Sequence, residues 1–389
     1  MKFRCERDSL VEVLSIAGRA VSTRTSASMA LGGVRIETTG NHLAVVGTDL
    51  DLTVHASTEA IGITDGVCVA PAKLLADIVR SLEPGAVTIE SEGDKIEIGA
   101  SRSRFSLRTF PVDDFPSLPE PPQPATFLPA ASLASALRQV VRAASGDDAR
   151  PLLTGVLLAA EGDGVRLVAT DSYRLAMRDI DGSDALTDSA QILVPARALA
   201  ELQKLPVLGM TSKDVTAAST AGDGEGQVAG KDVPTIGLSV GEHDVTFTVG
   251  SVKVSTRLLD GSYPDYRQLI PAEYPNRLHV GKDSLLDALR RVRLLVRDNT
   301  TPVRLAMRQA GVDLTVVSQE VGDASETVDA DFEGTDLTIA FNPTYLIDGV
   351  EAVSGDEVVL ETVDATKPAT VRAAEETNFR YLLMPVRVS

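Results

Sequence analysis

Two stretches, VAPAKLLADI from Val69 to Ile78 and LVPARALAEL from Leu193 to Leu202, are nearly the same sentence written twice. Each reads as the end of a strand, a proline in the first helical turn, and an amphipathic helix. Proline is tolerated there because its missing N–H would have no helical partner anyway. Leu75 and Ile78 fall in the same phase as Leu199 and Leu202. A weaker third copy, AFNPTYLIDGV from Ala340 to Val350, opens on Pro343 and puts Ile347 and Val350 in that phase. A long-period repeat has to be settled before anything else is read.

The repeat widens in both directions. Another candidate helix precedes each copy. One is Asp8–Val21, with Leu10, Leu14, Ala17 and Val21 on one face and Ser9 and Glu12 at capping-box spacing. The second is Ala131–Ser145, with Leu133, Leu137, Val140 and Ala144, and the third is Lys282–Asp298, with Leu285, Leu289, Val292 and Val296. Between the two helices of each copy lie alternating runs: VRIETTGNHLAVVGTDLDLTV, GVLLAAEGDGVRLVATDSYRLAM and VRLAMRQAGVDLTVVSQEVG. The first two share a Thr-Asp step, at Thr48-Asp49 and Thr170-Asp171. More alternating runs follow the second helix of each copy. Strict alternation between turn residues predicts antiparallel sheet with one wet face.

The plan is therefore helix, strands, helix, strands, three times over: an α+β chain. Its seams fall at the proline-rich PEPPQPA (Pro119 to Ala125) and near IPAEYP (Ile270 to Pro275), which places domains at 1–124, 125–271 and 272–389. The middle copy is lengthened by an aperiodic Gly-, Ala-, Ser- and Asp-rich segment, about 211–235, expected to be a flexible insert.

Composition narrows the chemistry. The chain is 43% hydrophobic but only 4% aromatic, without tryptophan, so its cores rest on Val, Leu, Ile and Ala. A net charge of −18 argues against general adhesion to nucleic acid or anionic membrane, and says nothing of a local basic patch. Cys5 and Cys68 are too few for a disulfide framework or a structural zinc site. There is no apolar leader in MKFRCERDSL and no run of about 18 apolar residues, which predicts a cytoplasmic protein. His42, His55, His243 and His279 lie far apart without metal-ligand spacing. No phosphate loop, nucleophile elbow or acid–base pair is evident, so neither catalytic residue, nor metal, nor cofactor is expected.

The helices carry more. Lys73 with Arg80 and Arg197 with Lys204 are spaced i, i+7; Arg138 and Arg142 are spaced i, i+4; Arg290, Arg293 and Arg297 share one face. Arg24 follows the first helix. Clustered cations on an acidic chain suit a phosphate-facing surface. For the Lys73 and Arg197 helices, salt bridges to Asp77 and Glu201, four residues on, are an equal reading; for Arg290–Arg297 the phosphate surface is favoured. The last helix, around Asp348 and Glu351, has no cation and is the exception.

Taken together, the three copies, the opening MKF, and the motifs GTDLDLTV, RSRFSLRTFP, VATDSYRLAM, YPDYR and terminal YLLMPVR resemble the bacterial β sliding clamps, the processivity subunit of DNA polymerase III. The resemblance spans the chain apart from the insert. It implies a head-to-tail homodimer, a ring of six similar domains with helices lining the hole and sheets outside, enclosing duplex DNA without reading bases. Arg24 matches a position that touches DNA, as does the loop Asp147 to Leu153, which carries Arg150; Lys73, Arg80, Arg138, Arg142, Arg197, Lys204, Arg290 and Arg293 complete the expected DNA-binding set.

The resemblance also implies a dimer contact of Phe105 and Leu107 with Leu294 and Leu295 of the next subunit. It places a pocket for short linear peptides of the polymerase, clamp loader and repair proteins at Leu153, Thr170, Tyr173, Arg174, Leu175, Pro264, Leu269, Asn342, Tyr345, Pro368, Met384, Pro385, Val386 and Arg387. A repeat scaffold that binds only proteins is the alternative, and the Arg290–Arg297 cluster argues against it.

Overall fold

The computed structural model describes residues 1–22, 29–182, 185–186, 190–209, 234–297 and 301–387. Arg24 and nearly all of the 211–235 insert lie outside them; Pro234 and Thr235 lie inside, and Thr235 already opens the strand Thr235–Val240. Six helices of eight residues or more are found among the described residues: Arg7–Ala17, Ala72–Ser81, Ala130–Val140, Ala196–Gln203, Lys282–Arg293 and Pro343–Ala352. The three repeated pairs expected from the sequence are all present.

Their ends differ from the sequence reading in instructive ways. The first helix begins at Arg7, straight out of the strand Lys2–Glu6, with Glu6 at the N-cap and no side-chain cap bond, so Ser9 and Glu12 form no capping box. It stops at Ala17 and leaves Val21 beyond it; Ala144 and Val296 also fall past their helices. Pro71 and Pro195 close strands rather than open helices, because Gly33 pairs with Pro71 and Gly155 with Pro195 at the last rung of each ladder. Of these three prolines, Pro343 alone sits in a first helical turn.

The chain folds as two compact units that do not follow the tandem copies. One comprises Met1–Ala131 with Ala200–Leu258, the other Ser132–Leu199 with Leu259–Ser389. Strand pairing is the cause. Val252–Arg257 pairs with Leu52–Glu59, Val254 opposite Val54, which joins strands of the first and second copies into one eight-stranded antiparallel sheet. Phe379–Leu383 pairs with Arg174–Ile180, Tyr381 opposite Ala176, which joins the second and third copies into a nine-stranded sheet. Each unit also holds a smaller sheet, five-stranded in the first and four-stranded in the second.

In the first unit Leu10, Leu14, Ala17, Leu75 and Val79 form the buried face of the two helices. In the second, Leu285, Leu289, Val292, Leu346 and Val350 do the same. With few aromatics to spend, the core is closed by Phe3, Phe247, Phe341, Phe379 and Tyr381, all essentially inaccessible.

Candidate functional site

The best-formed site is built on one turn. Strands Gly164–Thr170 and Arg174–Ile180 are joined through Asp171, Ser172 and Tyr173. The Thr170 hydroxyl donates to the Arg174 carbonyl at 2.6 Å, and the Asp171 carboxylate accepts the Tyr173 and Arg174 amides at 2.9 and 3.0 Å. Ser172 is forced to φ 80°. Thr and Asp suit this because short polar side chains close turns on their own backbone.

The turn fixes Arg174, whose guanidinium is the hub. Its Nε donates to Asp171 at 3.0 Å, Nη1 to Asp348 at 2.5 Å and Nη2 to the Arg142 carbonyl at 2.5 Å. The same group lies 4.4 Å from the centre of the Tyr345 ring, and Tyr345 stacks at 6.4 Å with Tyr173, which is 59% exposed. Nearly buried and fully paired, Arg174 serves as a rigid wall.

Tyr345 is placed by its helix. Asn342 caps Pro343–Ala352 by accepting the Thr344 and Tyr345 amides at 2.9 and 3.2 Å, and the Tyr381 hydroxyl donates to the Tyr345 carbonyl at 2.9 Å. Burial pushes the Tyr381 phenol well above its ordinary pKa, so it stays a donor. The C-terminal segment closes in: the Met384 amide donates to the Tyr173 carbonyl at 2.9 Å and the Val386 amide to the Ala340 carbonyl at 2.7 Å. Met384 remains 39% exposed. Pro368 precedes Ala369, which pairs with Leu383, so it stands beside Met384. Leu153 and Leu175 are buried, Pro385 half-buried, and Leu269 and Arg387 exposed.

Beside the turn is an apolar sheet face. Leu157, Val168, Leu175, Met177, Leu193 and Leu382 cluster with Tyr266 beneath Tyr263 and Ile270. Pro264 and Tyr266 border a cavity of about 400 Å³ there. The first unit offers an internal comparison. Its row Arg35, Val46, His55 and Lys253 occupies the register held in the second by Leu157, Val168, Met177 and Arg380. The first row floors a polar groove of about 1050 Å³ beneath the 112–123 segment. The same register thus carries a polar row in the first unit and a buried, largely apolar row in the second.

The expected DNA-binding cations fall into two kinds. Lys73, Arg138 and Arg293 are exposed and form no ion pair among the described residues; Arg197 is exposed as well. Others are engaged. Asp77 pairs with Arg80 at 3.0 Å and Glu201 with Lys204 at 2.7 Å, both at three-residue spacing, in place of the expected pairs with Lys73 and Arg197. Arg150 is held by Asp147 at 3.2 Å and donates to the Asp171 carbonyl and Ser172 hydroxyl. Arg142 and Arg290 both reach Glu351, at 2.9 Å each, so the cation-free last helix supplies their counter-charge. The sequence reading singled out that helix as the exception without assigning this role; it also missed Asp171 and Asp348 as the partners of Arg174.

Of the expected contact residues, Leu294 is 81% exposed and Phe105 39%, both high for such side chains. Leu295 and Leu107 are half-buried. Cys5 and Cys68 are buried and unpaired. Among the described residues no cluster of metal-ligating side chains occurs, and no helix is long and apolar enough to cross a membrane.

Comparison with known proteins agrees with this architecture. Family models for the N-terminal, central and C-terminal domains of the DNA polymerase III beta subunit match residues 1–119, 127–265 and 267–387. A beta sliding clamp from Streptomyces coelicolor is 35% identical with full coverage of both chains. One from Micrococcus luteus is 34% identical over 86% of this chain and all of its own. Among solved structures, the sliding clamp from Bacillus subtilis superposes at a TM-score of 0.87 with 28% identity, and that from Bartonella birtlesii bound to griselimycin at 0.87 with 29%, each over the full length of both chains. By its three matched domains and its full-length relatives, the chain belongs to the beta subunits of DNA polymerase III, the beta sliding clamps.

Proposed function

We propose that this sliding clamp works as a head-to-tail homodimeric ring of three clamp domains per chain, 1–124, 125–271 and 272–389, threaded by duplex DNA in the cytoplasm. It tethers the replicative polymerase and other partners by enclosure, without catalysing a reaction. Lys73, Arg80, Arg138, Arg142, Arg150, Arg197, Lys204, Arg290 and Arg293, with Arg24 outside the described residues, supply attraction to phosphate. Contacts of this kind are insensitive to base sequence and therefore permit sliding. Phe105 and Leu107 meet Leu294 and Leu295 of a second copy. The observation that carries the assembly is the exposure of Leu294, at 81%, just past the end of the helix Lys282–Arg293.

The pocket around Tyr173, Arg174 and Tyr345 takes short linear peptides of the polymerase, the clamp loader and repair proteins. Support comes from the exposed Tyr173 and Met384 over a rigid Arg174 base, and from relatives solved with griselimycin bound. The test is retention on DNA. Clamp loaded on a closed circular plasmid should stay through gel filtration and leave when the plasmid is cut once. Retention that ignores the cut would remove enclosure, and absence of any salt-dependent DNA association would favour a scaffold for proteins alone.

A further inference from the structure

Glu351 sits between two cations that the proposed function assigns to phosphate. Its Oε2 accepts from Arg142 Nη1 at 2.9 Å and its Oε1 from Arg290 Nη2 at 2.9 Å. The three side chains come from three elements: the turn Val141–Ala143, the helix Lys282–Arg293 and the last turn of Pro343–Ala352. The backbone that carries the carboxylate is anchored. Lys282 Nζ donates to the Glu351 carbonyl at 3.2 Å, and Gln139 donates to the Ala352 carbonyl at 2.9 Å. Partial burial would raise the Glu351 carboxyl, yet Arg290 and Arg142 hold it below its ordinary value, so it is fully charged at neutral pH. Asp348 lies 4.0 Å from Arg142 and Asp287 3.6 Å from Arg290.

The arrangement has a direct consequence. Arg142 and Arg290 remain 60% and 54% exposed, within reach of a polyanion, but each must leave a shared carboxylate to neutralise a phosphate. Lys73, Arg138 and Arg293 have no such competitor among the described residues. We propose that Glu351 is a built-in counterion that competes with DNA phosphate for Arg142 and Arg290 and so keeps the hold on the duplex loose. This rests on the assignment of those two arginines to DNA. A sliding protein gains from such a device, because each phosphate fixed tightly is one more to release at every step.

The experiment is fluorescence anisotropy of the full-length protein on a short duplex, from low to moderate salt, comparing Glu351→Gln with Arg142→Gln and Arg290→Gln. Glu351→Gln is expected to bind about three- to tenfold tighter at low salt and to steepen the plot of log K against log salt by about one. The two arginine variants should weaken binding. If they do and Glu351→Gln equals the parent in affinity and slope, the counterion role is wrong while the DNA assignment stands. If neither arginine variant changes binding, the assignment itself falls and the proposal with it. Glu351→Asp keeps the test readable if Glu351→Gln unfolds: it keeps the charge but draws the carboxylate back from Arg142 and Arg290, and tighter binding is again required.

Discussion

Leu50 and Ser172 hold the same left-handed backbone conformation, φ 82° and 80°, each one residue after a Thr-Asp step. The bonds around them match. The Thr48 hydroxyl donates to the Leu52 carbonyl as the Thr170 hydroxyl does to that of Arg174. Asp49 accepts the amides of Asp51 and Leu52 as Asp171 accepts those of Tyr173 and Arg174. A duplicated turn has kept its geometry while its residues diverged. Leucine is poorly suited to positive φ, at a cost of roughly 1–2 kcal/mol, whereas asparagine tolerates it. Leu50 is 52% exposed and loses little by replacement. Leu50→Asn should therefore stabilise the protein by about 0.5–1 kcal/mol, seen as a higher urea midpoint at unchanged m-value.

Removing Arg174 should do the reverse. Both it and Asp171 retain about a tenth of their side-chain exposure, and Asp348 also depends on it. Arg174→Ala removes the charged partner of Asp171 and the nearer of the two cations at Asp348, so a loss of about 3 kcal/mol is expected. Arg174→Lys should recover little, because an ammonium lacks the fork that serves Asp171, Asp348 and the Arg142 carbonyl together. Urea unfolding checks both: the midpoint of Arg174→Lys should lie close to that of Arg174→Ala and well below that of the parent protein, at unchanged m-value.

Gly349 gives a reversed sign. Alanine in place of glycine inside a helix ordinarily gains about 1 kcal/mol. Here a Cβ would lie 2.5 Å from Tyr381 Cδ1 and 2.6 Å from Cε1, and the Tyr381 ring is fixed by burial and by its bond to the Tyr345 carbonyl. Gly349→Ala should destabilise by about 1–3 kcal/mol. Gly18, where a Cβ meets nothing within 4 Å, is the control: Gly18→Ala should be neutral or mildly stabilising. Equal melting shifts for both would contradict the packing argument.

His55 predicts a pH effect. Burial, then Lys253 and Arg35, depress its pKa from 6.5 to about 4. The unfolded chain therefore takes up this proton at higher pH than the folded one. The contribution of the neutral ring is full above about pH 6.5, declines as the pH falls toward 4, and is gone below. NMR titration should show the ring uncharged down to about pH 4, and His55→Gln should flatten that part of the stability profile. A ring that titrates near 6.5 would show that the groove is open to water.

Much of the fold is legible in the sequence. The phase of Leu75, Leu199 and Ile347 after a proline marked the helices, because a buried helical face imposes its period on the sequence wherever it recurs. Strand alternation in the runs around Thr48 and Thr170 marked antiparallel sheet for the same reason. Element ends were less legible. Glu6, and not Ser9, stands at the N-cap of the first helix, because the strand Lys2–Glu6 pairs with Ala86–Glu92 and delivers the chain directly into the helix. The family resemblance implies a site at Tyr173, Arg174, Tyr345 and Met384, and the fold brings these four residues together.

What the sequence by itself determined is the threefold α+β pattern, the Thr-Asp turns and the positions of the helix cations, since each is a local or periodic property of the chain. What only the tertiary structure decided is which parts belong together. Tyr381 pairing with Ala176 places the third copy's last strand against the second copy's turn, and Glu351 finds Arg142 and Arg290 across three elements. Long-range strand register and ion pairing between distant side chains leave no period to read, because their partners are chosen by the folded geometry rather than by spacing along the chain.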